Sequence, residues 1–382
     1  MDASVTTALP ELDAERLLAS FLELIQIDSP SLSEGALAQH CQQIFTELGM
    51  TTQIDTAGTA VGGNTGNLIA TLPATAGRSD RLYFSAHLDT VEPGRNIQPQ
   101  VKDGVIRAVS PTILGGDDKV GIAAILEALR TILAAGASHP EIVVMLTICE
   151  ELGLRGAAAM DGSDFHGELC FVLDAGGAPG TVIIGAPEQM EYSAHFIGKA
   201  SHAGVAPAAG ISAIALAARA ITQLPLGQLD NETTANVGTI QGGSANNVVP
   251  DSCRITGEYR SLNAQRFAEL QGQIQKILED AVAGSGGRVE TEFHRIYPGF
   301  KLEVSDSEVQ WFLTLATSLG LTGNACYTGG GSDANIFAGH GLKPLVLGAG
   351  MTDVHSLDES LAVQDMVDLT RLVIAIILNY QS

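Results

Sequence analysis

Five stretches of this 382-residue chain put an acid or a histidine near an apolar run, four of them after one. His87-Leu88-Asp89 closes Leu82-Tyr83-Phe84-Ser85-Ala86, and Cys149-Glu150-Glu151-Leu152-Gly153 comes just after Ile142-Val143-Val144-Met145-Leu146. Asp174 ends the apolar run 169–173 ahead of Ala175-Gly176-Gly177, and His355 follows Leu345-Val346-Leu347-Gly348 within Thr352-Asp353-Val354-His355-Ser356. Gly115-Gly116-Asp117-Asp118-Lys119 instead opens an apolar helical pattern. Singly, each has a plainer explanation: a helix N-cap at Asp117, a solvated turn at Glu150-Glu151, a turn Asp at 174, a surface His at 355. Together they set ionisable groups at the carboxyl ends of strands, where open α/β sheets bind their ligands.

The spacing suggests what these groups do. Residues i and i+2 on a strand face the same side, so Asp89 can fix the tautomer of His87 and raise its basicity as a metal ligand. Two adjacent glutamates at the end of a buried strand repel each other. A nearby cation relieves that, one glutamate ligating while the other takes a proton from an attacking water. Cys149 reads as a small packed residue rather than a nucleophile. The sequence contains no HExxH, GxSxG or GxxxxGK[ST], so zincin, nucleophile-elbow and P-loop chemistry lack support.

Elements able to position these residues can be read from periodicity. Amphipathic helices are expected over 12–27 and 36–48, separated by the turn Asp28-Ser29-Pro30-Ser31. Strands over 67–72, 81–88, 141–149 and 168–173 alternate with a helix over 119–135, which predicts an α/β domain with a mostly parallel central sheet. From about Glu188 the order becomes βαββαβ, with strands over 192–198, 234–241, 247–260 and 288–295 and helices over 209–224 and 264–283. That is the split arrangement of a ferredoxin-like α+β domain. Helices over 306–319, 333–339 and 361–380 and strands over 325–327 and 344–347 resume the first pattern. The expected division is therefore a discontinuous domain, 1–187 with 301–382, and an inserted lid, 188–300.

Composition bounds the partners. Twenty Lys and Arg stand against 43 Asp and Glu, a net charge of −23 that disfavours nucleic acid and anionic membrane. No window holds the ~18 uninterrupted apolar residues that a span requires, and the longest apolar run, 372–378, fits a core helix. Residues 1–10 carry no basic or apolar leader pattern, and five scattered cysteines make no CxxC pair. A cytoplasmic location is expected.

These motifs in this order resemble the peptidase T-like branch of the M20 clan of dinuclear zinc hydrolases. The likeness rests on HLDT, GGDDKVGIAAILEAL, EELGLRGA, LDAGG and the late His355. In the inserted segment it rests on Ser201-His202-Ala203-Gly204, the run 242–251 and Glu258-Tyr259-Arg260. It spans nearly the whole chain. It implies two Zn²⁺ ions per chain, with Asp117 bridging, His87 and Asp174 completing one site, and Glu151 and His355 the other. It implies Glu150 as general base, Asp89 orienting His87, and His202 from the lid stabilising the oxyanion. Asn247 and Arg260 match positions that contact the substrate's carboxylate, and Ser332 and Asp333 lie in a loop resembling the family's substrate site. The donor set suits Zn²⁺, Mn²⁺ or Co²⁺ better than Mg²⁺ or Cu(I). The expected activity is hydrolysis of di- and tripeptides, with a homodimer formed through the lid as a further implication. The alternatives are an N-acyl-amino-acid amidohydrolase of the same family and a non-catalytic metal-stabilised binding protein. Of the other histidines, His40, His139, His166 and His340 are expected at the surface, and His195 and His294 as structural residues of lid strands.

Overall fold

The computed structural model describes residues 8–381. The chain divides into two compact units. One comprises the residues up to Gly185 together with Leu302–Thr328 and the chain from Ser332 onward; the other comprises Ala186–Lys301 and Gly329–Gly331.

In the first unit the strand Arg81–His87 pairs in parallel with both Glu141–Thr147 and Leu169–Ala175, and Lys343–Gly348 extends the parallel set beside Leu169–Ala175. Antiparallel neighbours flank it: Leu68–Leu72 lies against Glu141–Thr147, and Thr181–Ala186 against Lys343–Gly348. The centre is thus parallel and the sheet as a whole mixed. Its middle strands are buried on both faces, so their sequences read as unbroken apolar runs rather than alternating ones. The helix Gly116–Ala134 is buried on most of its sides, and Val363–Asn379 packs into the same core. The apolar run 372–378 lies in that second helix. Among the described residues, no helix is long and apolar enough to cross a membrane.

The second unit has its own core and an antiparallel sheet. From one edge its strands run Gly227–Gln228, Thr233–Gly242, Ser252–Ser261, Glu188–Ile197 and Arg288–Tyr297. Helices Ala213–Ile221 and Ala264–Val282 complete the ferredoxin-like order. Ser212 and Asn263 cap these helices by accepting a backbone N–H three residues on, each worth about 1 kcal/mol.

Two expectations need correction. The strand expected to begin at Asn247 begins at Ser252; Pro250 lacks the N–H that a ladder uses, and Asn247 sits in the preceding turn. His139 is buried, its Nδ1–H donating to the carbonyl of Pro140 at 2.8 Å, rather than lying at the surface. A small sheet formed by Pro99–Lys102, Val105–Ala108, Met351–Thr352 and Ser360–Ala362 was not legible from periodicity.

Candidate active site

Strand Arg81–His87 delivers His87 at its carboxyl end, strand Glu141–Thr147 runs into Glu150 and Glu151, and strand Leu169–Ala175 carries Asp174. Parallel pairing aligns these three ends. Asp117 comes from the start of the helix Gly116–Ala134 and His355 from the loop after Met351–Thr352. All five expected ligands meet there.

Asp117 lies between the two imidazoles. Its Oδ1 is 3.1 Å from His87 Nε2 and its Oδ2 is 3.3 Å from His355 Nε2. Asp174 Oδ1 is 3.7 Å from His87 Nε2, and Glu151 Oε1 is 2.8 Å from His355 Nε2. Among the described residues, three overlapping sets of donor atoms are close enough to share an ion: His87, Asp118 and Asp174; His87, Glu150 and Glu151; and Asp117, Glu151 and His355. The first brings in Asp118, which the sequence reading left without a role. Its Oδ2 accepts the backbone N–H of His87 at 3.2 Å, and its Oδ1 is buried without a partner.

The ring of His87 is oriented as a ligand should be, although not by the expected atoms. Its Nδ1–H donates to the main-chain carbonyl of Asp89 at 2.8 Å, and the Asp89 carboxylate is farther away, at 3.6 Å. That bond leaves Nε2 facing Asp117, where a protonated ring donates to the carboxylate and a neutral one would offer its lone pair to an ion. The Asp89 carboxylate instead accepts the backbone N–H groups of Glu150, at 2.9 Å, and Glu151, at 3.2 Å, and the hydroxyl of Ser31, at 2.7 Å. Glu34 extends this bracing, accepting the N–H of Cys149 at 3.0 Å and its S–H at 3.3 Å. Ser31 and Glu34 carried no sequence signal, because their partners lie far along the chain.

The electrostatics fit a cation site. Burial, then the charge of Asp174, pushes the Glu150 carboxyl well up, and burial with neighbouring acids does the same to Asp174 and Asp118. Burial would lower His87, but its contacts with Asp117 and Asp174 outweigh that and raise it. Hydrogen bonds to Asp117 and Glu151 hold His355 up at about 10. Asp117 is drawn down, because its bonds to the two histidines outweigh its burial. So many acids in one buried cluster repel one another, and divalent ions taken up by the same oxygens would relieve that repulsion and release protons.

Of the remaining candidates, Ser332 and Asp333 belong to the first unit. Ser332 caps the helix Asp333–Gly339 in a reciprocal box with Asn335. Asp333 is buried, with Oδ2 accepting the hydroxyl of Thr147, and burial first of all pushes it up to about 7. Both side chains make these contacts inside the first unit, and the charge of Asp333 adds to the upward push on Glu150 and Asp174. His202, Asn247 and Arg260 belong to the second unit. His202 Nδ1 accepts the N–H groups of Gly204, at 3.1 Å, and Val205, at 3.2 Å, which puts the ring proton on Nε2. Arg260 holds Glu258 with two nitrogens, at 3.2 and 3.1 Å, and donates to the carbonyl of Gly329 at 3.2 Å. A cavity of about 570 Å³ lined by Glu191, Glu258, Glu292 and His294 opens on the second unit's sheet; none of the expected site residues lines it.

Comparison with known proteins gives the following. The family model described as a peptidase dimerisation domain matches residues 185–285, and that described as peptidase family M28 matches residues 67–205. The chain is 39% identical over 366 residues to the uncharacterized protein YqjE of Bacillus subtilis, covering 95% of this chain and 98% of that one. The solved structure of aminopeptidase PepT from Bacillus cereus matches with a TM-score of 0.92 at 39% identity, over 96% of this chain and 98% of that one. A tripeptidase from Staphylococcus aureus matches with a TM-score of 0.92 at 36% identity, over 96% and 98%.

Proposed function

This chain belongs to the M20 peptidases, in their peptidase T-like branch, and from that premise we propose that it is a dinuclear metallo-exopeptidase acting on di- and tripeptides with a free C-terminus. The observation that carries this reading is Asp117, whose two oxygens address His87 and His355 separately.

His87 and Asp174 would hold one ion, Glu151 and His355 the other, and Asp117 both. Two imidazoles and several carboxylates favour Zn²⁺, with Co²⁺ or Mn²⁺ as substitutes. Bound there, the ions would supply Lewis acidity toward the scissile carbonyl and bring a water's pKa to about 7.

The chain's own residues do the rest. Glu150, buried and pushed up, takes the proton of the attacking water and passes it to the leaving amine. Asp89 fixes the backbone from which Glu150 projects. His202, with its proton on Nε2, is the donor for the oxyanion that develops as water adds. Asn247 and Arg260 are the candidates for holding the peptide's terminal carboxylate. Arg260 would have to exchange Glu258 for it, and a bidentate guanidinium–carboxylate pair suits that exchange. The match to a dimerisation domain supports a homodimer formed through the second unit, and five free cysteines support a reducing, cytoplasmic setting.

The test is substrate choice by the metal-loaded protein. Release of free amine from an unblocked tripeptide, with N-acetylated amino acids left intact, is the expected result. Preference for the acetylated compounds would turn the reading into an amidohydrolase.

A further inference from the structure

We propose that Glu359 is a positioning residue of the metal centre, setting the spacing between Asp117 and His355. The inference rests on the dinuclear reading above and concerns a residue that none of the site's motifs includes.

Glu359 is 2% exposed and lies four residues after His355. Its Oε2 accepts the backbone N–H of Leu114 at 2.8 Å and of Gly115 at 2.9 Å, and its Oε1 accepts that of Asp117 at 3.1 Å. Both oxygens are therefore spent on the loop that presents the bridging carboxylate. A desolvated carboxylate is costly, and here three charge-assisted bonds offset the cost. An amide at this position would turn an NH₂ group toward one of the three donors.

The Gly115-Gly116 pair is shaped to this contact. Gly115 is left-handed, at φ +71°, and a Cβ on Gly116 would come within 3.1 Å of Glu359 Oε1. On its other side, Glu359 donates its own N–H to the carbonyl of Ser356, the residue after His355, at 3.3 Å. One residue thus ties both loops together. Across that tie, Asp117 Oδ2 and His355 Nε2 stand 3.3 Å apart. Residues that orient metal ligands through such supporting bonds set metal affinity as well as rate.

Calorimetric titration of the metal-free full chain with Co²⁺, run on wild type, Glu359→Gln and Gly116→Ala, tests this. The expected result for both variants is a fall of about 10- to 100-fold in affinity for the weaker of two ions. In the loaded protein kcat should fall while KM stays near wild type. A residue that served only to seal the helix start would lower the melting temperature and leave the affinity of the folded protein alone. Wild-type affinity for both ions in folded Glu359→Gln overturns the proposal. Should Glu359→Gln fail to fold, Gly116→Ala, whose new methyl crowds the same carboxylate, decides by the same two results. A wild-type protein that took up no Co²⁺ would instead overturn the dinuclear reading and this inference with it, and the wild-type titration separates the two failures.

Discussion

The carboxylate of Asp89 accepts the backbone N–H of Glu150 at 2.9 Å. Two residues past His87, it joins the end of one strand to the turn after its parallel neighbour, and so fixes the proposed base relative to a proposed ligand. The ring of His87 takes its own orientation from the same residue's main-chain carbonyl. Side chain and main chain of one residue therefore do different work. Asp89→Ala would leave the N–H groups of Glu150 and Glu151 and the hydroxyl of Ser31 without this acceptor. Each buried donor left unsatisfied costs about 1–3 kcal/mol. Denaturant unfolding should show Asp89→Ala less stable by at least about 2 kcal/mol, with Asp89→Asn in between. Equal midpoints for Asp89→Ala and wild type would contradict the clamp.

Glu150→Gln separates base from ligand. The variant should still bind two ions per chain while kcat falls by at least ~10². Glu150 also lies within reach of an ion beside His87 and Glu151, so the ion count is the informative half of the experiment. Loss of one ion would make Glu150 a ligand, and an unchanged kcat would end its role as base.

Much of this site was legible in the sequence because parallel strands deliver their carboxyl ends to one place. The apolar runs before His87, Glu150 and Asp174 marked those ends without any knowledge of pairing. What could not be read was the support beneath them. Glu359 contacts residues some 245 positions away, and Glu34 reaches Cys149 across 115. No local period encodes such pairs. Asp118 had no assigned part in the sequence, and its burial against the backbone of His87 gives it one. For Ser332 and Asp333 the sequence showed a polar loop, and their part in capping a helix and meeting Thr147 was not legible from it. The strands of the small sheet, two to four residues long, are too short for a period to reveal.

His202→Ala should lower kcat far more than it raises KM, the pattern of an interaction made chiefly in the transition state. Removing a single oxyanion donor costs roughly 10²–10³ in kcat. A rise in KM alone would make His202 a binding or packing residue.

Arg260 can be tested through the substrate. Amidating the C-terminus of a tripeptide should cost the wild-type enzyme ~10-fold or more in kcat/KM, about 1.4 kcal/mol. The same change should cost Arg260→Ala much less, since the guanidinium is already gone. Equal losses in both proteins would confine Arg260 to the contacts it already makes in the fold, with Glu258 and the carbonyl of Gly329.

The central claim is that one carboxylate serves two ions, and counting Zn²⁺ bound to wild type and to Asp117→Ala by equilibrium titration tests it directly. The wild-type chain should bind two ions. Because Asp117 faces both His87 and His355, Asp117→Ala should weaken both ions together, each by roughly tenfold or more. Two ions held by Asp117→Ala with wild-type affinity, or none held by the wild type, would contradict the account.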